Sequence, residues 1–358
     1  AIDDHGTAVA SIAAGSDDFG MIEGVAPNAN LRLFGWASNG GGSVSWEDSI
    51  QDAAANGVIA HNNSWALSDL SGTIHGISSN DRSLFDLTFP EEGFLSDLTD
   101  FTSEGVVVFA ADNDDTRTDS HYMAALPVLL PELEQGWLKV TNLFVPYNAA
   151  SDSFGTPVRL SAACLEAARW CLGADGSMVF ADSSSNDGYS VGTGASYAAP
   201  QVAGALALLA EAFPTLESDQ LRNRLLATAD NSFFVHTDEL VFDGGHRHGY
   251  NDEFGHGLMD LRAALLPIGT MSTLSVTGEP LIVGEASIIA GGASGDALIQ
   301  GLSEISVLST DQMSGDYQVS AATFAVASTP TNPLMLDAAR TRYADLQGER
   351  RAARTRSG

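Results

Sequence analysis

An α/β fold built on a mostly parallel central sheet is the architecture that this sequence predicts, and three features carry the expectation. Strand-like and helix-like segments alternate over residues 1 to 266, the order produced when each strand is followed by a crossover helix. Val106 to Ala111 is apolar without a break, as in a strand covered on both faces. Ser196 to Phe213 is a long Ala/Leu run stopped by Pro214, which reads as a buried helix. With 358 residues, 44% of them hydrophobic, the chain can bury a large core and suits one large domain plus an appendage.

The elements follow in order. Ala8 to Ala14 is small and helical in character, and Leu31 to Trp36 reads as a strand. Trp46 to Asn56 is an Ala-rich helix closed by Gly57, and Val58 to His61 begins the next strand. Beyond the Val106 strand and the Ser196 helix, Ser218 to Ala229 and Leu258 to Leu266 read as helices. After Pro267 the character changes. Residues 267–335 are rich in Ser, Thr, Gly and Val, short in charge and without helical periodicity, so β-structure or a stalk is expected there. Residues 336–358 are Arg-rich, and a solvated, loosely ordered tail accounts for Arg340 to Arg356 better than a binding patch does.

Composition excludes several functions. A net charge of −30 repels phosphate backbones and argues against nucleic-acid binding. Lys139 is the sole lysine. No apolar run reaches the length of about 18 residues that a membrane-spanning helix needs. Residue 1 lies directly against a motif, so the chain is expected to begin partway into a domain, and the lack of a leader says nothing of localisation. Cys164 and Cys171 can form a short-loop disulfide, contribute to a metal site or remain thiols. No Cys/His cluster stands beside them, and of the three a disulfide, with the oxidising compartment it implies, is the expectation. Calcium binding by a loop such as Asp112 to Asp119 is the one metal role raised. A solvated acidic surface explains that loop as well, so no ligand set and no cofactor are assigned.

Three segments carry chemistry. In Asp4-His5-Gly6-Thr7-Ala8-Val9-Ala10 a histidine followed by small residues opens a helix, where an imidazole is poised to take and return a proton near neutrality. In Gly192-Thr193-Gly194-Ala195-Ser196-Tyr197-Ala198-Ala199-Pro200 glycines permit a sharp strand-to-helix turn that exposes a serine hydroxyl at the positive end of a helix dipole. In Val106 to Asn113 a buried strand ends in a polar loop, and open parallel sheets place their sites at the carboxyl ends of strands. Singly, these are equally well a helix-capping histidine, an N-cap serine and a turn asparagine.

As an ordered set they resemble the subtilisin-like (S8) serine proteases over residues 1 to 266. The histidine motif His-Gly-Thr-x-Val-Ala is matched by His5 to Ala10, and the serine motif Gly-Thr-Ser-x-Ala-x-Pro by Gly194 to Pro200. Pro200 sets the register, so Ser196 and not Ser190 takes the nucleophile's place. The resemblance implies a three-layer fold, His5 as general base and Asn113 as the oxyanion donor. It also implies that Asn62-Asn63-Ser64-Trp65 runs beside the substrate backbone, with the substrate pocket near Ser64, Trp65 and Ala66 and near Leu172, Gly173 and Asp175. Asp175 facing that pocket would favour a basic side chain. The family's aspartate precedes the histidine motif by tens of residues, so it is expected upstream of this chain; neither Asp3 nor Asp4 takes its place. Asp112 stands where the family has glycine, bringing a possible negative charge near the oxyanion, and Ala195 stands for a threonine.

A narrower resemblance joins Cys164, Arg169-Trp170-Cys171-Leu172 and Phe254-Gly255-His256-Gly257-Leu258-Met259-Asp260 to the protease passengers of bacterial autotransporters. It implies secretion or surface display, with a link to an outer-membrane barrel not present in residues 1 to 358. Two other readings were weighed. An α/β-hydrolase esterase, with Asp243 and His246 or His256 as partners, leaves His5 and Asn113 unexplained. A degenerate, non-catalytic surface or binding module draws its support from Asp112 and Ala195.

Overall fold

Val106–Ala110 lies inside a five-stranded sheet, four of whose strands run parallel, and every one of its side chains is buried there. The computed structural model describes residues 4–16, 22–35, 45–183, 188–285 and 287–328. In chain order the leading elements are α1 (His5–Ala14), α2 (Trp46–Ala55), β1 (Ala60–Asn63), α3 (Arg82–Thr88), α4 (Phe94–Glu104), β2 (Val106–Ala110) and β3 (Trp137–Phe144). Then come β4 (Cys171–Ala174), β5 (Ser177–Ala181), β6 (Tyr189–Thr193), α5 (Ala195–Ala212) and α6 (Ser218–Thr228). The parallel part of the sheet runs β1-β2-β3-β4, with Asn62 opposite Val108, Val108 opposite Leu138 and Val140 opposite Leu172; residues 158–159 add a short antiparallel strand to the end of β3.

Alternation along each strand divides the core into two faces. On one, Val107, Phe109 and Trp137 meet an aromatic layer from α2, α3 and α4 that includes Trp46, Phe85, Phe94 and Phe101. Each such ring contributes roughly 1.5–3 kcal/mol through burial. On the other, α5 packs across β1, β2 and β3 and buries Ala198, Val202, Ala205 and Leu206. A β-carbon at Gly204 would stand 2.8 Å from Val25 and 2.9 Å from the Ala13 carbonyl, so glycine here lets α5 approach α1 closely. Two layers of helices flanking one mostly parallel sheet make the three-layer α/β arrangement. Ser45 and Asp48 form a capping box at the start of α2, and Gly57, at φ 61°, follows its end.

A hairpin of β7 (Asp238–Val241) and β8 (Arg247–Tyr250) and a short α7 (Leu261–Leu265) follow. The chain separates into two compact units: one runs to Gly269 and takes back Gln312–Gly315, and the other holds Thr270–Asp311 and resumes at Asp316. Within the second, β9 (Ser272–Leu274), β10 (Pro280–Ile282), β12 (Ser306–Thr310) and β13 (Asp316–Ser320) form an antiparallel sheet in the order β10-β9-β12-β13. Its remaining strands, β11 (Ile288–Gly291) and β14 (Ala325–Ser328), pair parallel, with α8 (Gly292–Ser303) packed on them.

Several expectations are corrected here. Leu31 to Gly35 forms no strand: Leu31 and Leu33 are exposed, and the segment is tied to α2 by Arg32, which forks onto Asp52 at 2.5 and 2.6 Å. Trp36 lies outside the described residues, as does the Arg340 to Arg356 tail. The helix expected from Leu258 begins only at Leu261, because Leu258 exchanges main-chain hydrogen bonds with Asp230, Met259 donates to the Gly173 carbonyl, and Asp260 then caps the turn through Ala263 N–H. Helix α8 was not expected in a stretch without helical periodicity. The parallel pairing of β11 with β14 requires a crossover, and α8 supplies it.

Cys164 and Cys171 are joined in a disulfide. Beside it the Lys139 ammonium, fully buried, donates to Ser120 Oγ (2.9 Å) and to the carbonyls of Ala163 (2.8 Å) and Cys164 (3.1 Å). Burial lowers this amine to about 7.

His121 and His256 are also buried, and desolvation lowers them from 6.5 to about 4 and about 3. Both are kept neutral in the folded state, so their contribution to stability is present above pH 6.5 and is lost as pH falls through these lower values. Denaturant unfolding is therefore expected to lose on the order of 3 kcal/mol per histidine between pH 7 and pH 4. A flat unfolding free energy across that window would contradict the assignment.

Candidate active site

Gly194 delivers the chain from β6 into α5, and Ser196, part-exposed, is the helix's second residue. In an α-helix the N–H of residue i bonds the carbonyl of residue i−4. At position 200 that donor is missing, because proline has none. The Ser196 carbonyl is taken instead by the hydroxyl of Ser64, at 3.0 Å, just beyond the end of β1. Asn62 Nδ2 donates to Ser64 Oγ at 3.0 Å, which leaves the Ser64 proton for the carbonyl. The end of β1 and the start of α5 are thus fastened through a group that Pro200 leaves open.

Asn113, exposed and just past β2, approaches the same turn from another side. Its Oδ1 accepts the Ala195 N–H at 2.9 Å, which orients the amide so that Nδ2 is the end turned away from that bond. A β-carbon at Gly194 would lie 3.2 Å from this oxygen, a tight fit. His5 opens α1, which packs along α5, and its ring centroid is 6.0 Å from that of Tyr197. Tyr197 in turn packs against Phe180, with ring centroids 4.5 Å apart and planes tilted by 32°, within a small core with Ala8 and Ile12. Ser64 and Asn113 therefore bond the main chain of one turn, residues 194–197, and His5 lies against the ring of Tyr197 from that turn. The carboxylate of neighbouring Asp4 accepts the Ser183 hydroxyl.

The charge expected to trouble this site is paired. Asp112 places one carboxylate oxygen 3.1 Å from Arg117 Nη1 and accepts the Asp114 N–H on the other at 3.0 Å. Other carboxylates of that loop also bond locally: Asp114 to Thr116, and Asp119 to the Ser78 N–H. Among the described residues no group of three or more His, Cys, Asp or Glu side chains is arranged to hold a metal ion.

The remaining candidates differ in placement. Trp65 is part-buried, with its ring edge-on to Trp46 (5.8 Å) and Phe109 (5.1 Å), and its carbonyl accepts from His121 Nε2 at 3.2 Å. Ala66, the next residue, is part-buried. Gly173 lies inside the sheet: its N–H donates to the Gly257 carbonyl and its carbonyl accepts from Met259, both at 2.8 Å. A β-carbon there would collide with Leu143 at 2.2 Å, so the glycine answers to packing. Asp175 accepts the Val145 N–H (3.1 Å) and the Ser177 N–H (2.9 Å), engaging both carboxylate oxygens. One participant escaped the sequence reading: Arg117, five residues after Asp112, which carried a charge signal. Asn62 was expected only as part of the segment beside the substrate, not as the donor that orients Ser64.

The fold and these contacts define an α/β protein with a part-exposed serine in the first turn of a helix, an amide bonded to that turn and a histidine against the ring of the residue that follows the serine. The model of the Subtilase family matches residues 1–257, and the chain belongs to the subtilase family. It is 26% identical over 313 residues to an extracellular serine protease of Serratia marcescens, covering 73% of this chain and 28% of that protein. It is 26% identical over 228 residues to serotype-specific antigen 1 of Mannheimia haemolytica, covering 62% and 22%. The chain thus spans about a quarter of the length of these relatives. Among solved structures, the prenylagaramide maturation protease PagA is similar in fold, with a TM-score of 0.51 and 21% identity over 73% of this chain and 81% of that one.

Because Asp175 is engaged by main-chain donors, Asp175→Ala is expected to lower stability by about 1–3 kcal/mol. Unfolding titration tests this; unchanged stability would contradict it.

Proposed function

We propose that this chain is a serine endopeptidase that cleaves peptide bonds through an acyl-enzyme. The supporting observation is that, in a subtilase-family chain, Asn113 bonds the Gly194–Tyr197 turn that carries Ser196 while His5 lies against the ring of Tyr197. Ser196 Oγ attacks the scissile carbonyl while His5 takes its proton. The tetrahedral oxyanion is held by Asn113 Nδ2 and the Ser196 N–H, with the helix dipole of α5 adding to the field. His5 then returns the proton to the leaving amine. Water, deprotonated by His5, attacks the acyl carbonyl, and His5 passes that proton to Ser196 Oγ as the acyl–oxygen bond breaks and the carboxylic-acid product leaves. The substrate lies extended beside Ser64, Trp65 and Ala66.

In this reading residues 1–266 are the peptidase domain, and 267–335 are a β-type connecting segment. The disulfide suits an oxidising compartment, and two relatives are named as an extracellular protease and a serotype antigen. Both observations support a location outside a bacterial cell or on its surface, and the reading makes the chain a passenger carried with an outer-membrane barrel. Its partners are protein or peptide substrates. No cofactor enters the chemistry.

Fluorophosphonate labelling of the full-length protein is the test. Labelling that disappears in Ser196→Ala, with Asn113→Ala lowering kcat on a peptide about 100- to 1,000-fold, is the expected result. Absence of labelling in the folded protein, or labelling that persists in Ser196→Ala, would overturn it in favour of a non-catalytic binding module.

A further inference from the structure

The two faces of β1 do different things. Asn62 and Ser64 lead to the Ser196 turn, whereas His61 and Asn63 lead to α2. An indole N–H can only donate, so Trp65 Nε1, 3.0 Å from Asn63 Oδ1, fixes which end of that amide is oxygen. Asn63 Nδ2 must then be the donor in its 2.9 Å contacts with His61 Nδ1 and the His61 carbonyl. With Nδ1 accepting, the neutral imidazole carries its proton on Nε2, which faces Ser49 Oγ at 3.0 Å. Ser49 donates to the Trp46 carbonyl at 2.7 Å, in the first turn of α2. Every proton in this chain has one possible place.

We propose, resting on the peptidase reading above, that His61 is a positioning residue: the one-directional chain Trp65–Asn63–His61–Ser49 holds Trp65 and its neighbours in register for an extended peptide substrate. The chain starts in the segment beside Ser64 and is anchored on α2, which its own capping box makes rigid. A polar chain along the flank of an apolar layer costs desolvation that a valine at position 61 would avoid. Strand pairing does not require it, because the main chain of β1 is already registered on β2. What the chain adds is the orientation of the Trp65 indole. A doubly protonated His61 would set N–H against N–H at Asn63. Although the residue keeps some exposure, desolvation of its ring lowers the imidazole to about 4, so it is neutral at neutral pH.

The test compares His61→Phe, which keeps a ring and removes the relay, with His61→Gln, which retains an acceptor and a donor. On a peptide substrate spanning several residues before the scissile bond, His61→Phe is expected to raise KM roughly tenfold with kcat within about twofold. Fluorophosphonate inactivation, which needs no extended substrate, stays at the wild-type rate, and His61→Gln recovers much of the lost KM. Should His61→Phe not fold, Ser49→Ala removes only the far end and is expected to raise KM in the same direction. Unchanged KM in these variants, or a KM rise matched by an equal loss of fluorophosphonate reactivity, overturns the positioning role and leaves the peptidase reading standing. Wild-type protein that neither labels nor cleaves overturns both.

Discussion

Pro200 removes one N–H from the first turns of α5, and the hydroxyl of Ser64 takes the carbonyl that this N–H would have bonded. A helix that began normally would satisfy Ser196 internally, and its serine would need no neighbour. Here the turn that carries Ser196 is completed only when the end of β1 arrives beside it. A local sequence feature, proline four residues after serine, thereby becomes a tertiary requirement. An unsatisfied carbonyl at that depth costs about 1–3 kcal/mol, enough to couple the placement of the sheet to that of the candidate nucleophile.

The rest of the fold serves this junction. The apolar run of β2 and the aromatic layer under α2, α3 and α4 hold β1 and β2 in register, and Asn113 emerges past β2 to take the Ala195 N–H. Glycine at 204 lets α1 lie close to α5, which brings His5 to the ring of Tyr197. Charges near the site are handled by pairing: Asp112 by Arg117, and Lys139 by two carbonyls and a hydroxyl. Buried groups of this kind are held by their partners, and removing one partner costs more than the pair contributes.

What could be read from the sequence was local. His5, Asn113 and Ser196 lay in segments whose residue types and order announced strand ends and helix starts; in the structure Asn113 bonds the Ala195 N–H beside Ser196, and His5 lies against the ring of Tyr197. The β2 strand, α2 and α5 followed from apolar runs, caps and prolines. The reading failed where long-range partners decide. Leu31 to Gly35 has the composition of a strand and no ladder in the structure, and α8 has poor periodicity yet is required by the parallel pairing of β11 and β14. Nor could the sequence say that Asp112 meets Arg117, that Asp175 bonds main-chain N–H groups, or that Gly173 is enclosed between β3 and residues 257–259. These facts depend on side-chain direction, which only the packed core fixes.

The dependence of the serine turn on Ser64 is most directly measured by a double-mutant cycle between Ser64→Ala and Pro200→Ala. With Pro200 present, Ser64→Ala should cost about 1–2 kcal/mol in unfolding free energy. In the Pro200→Ala background, where a main-chain N–H is restored to the Ser196 carbonyl, that cost should fall to less than half. An equal cost in both backgrounds would contradict the account and show that Ser64 acts independently of the group that the proline leaves open.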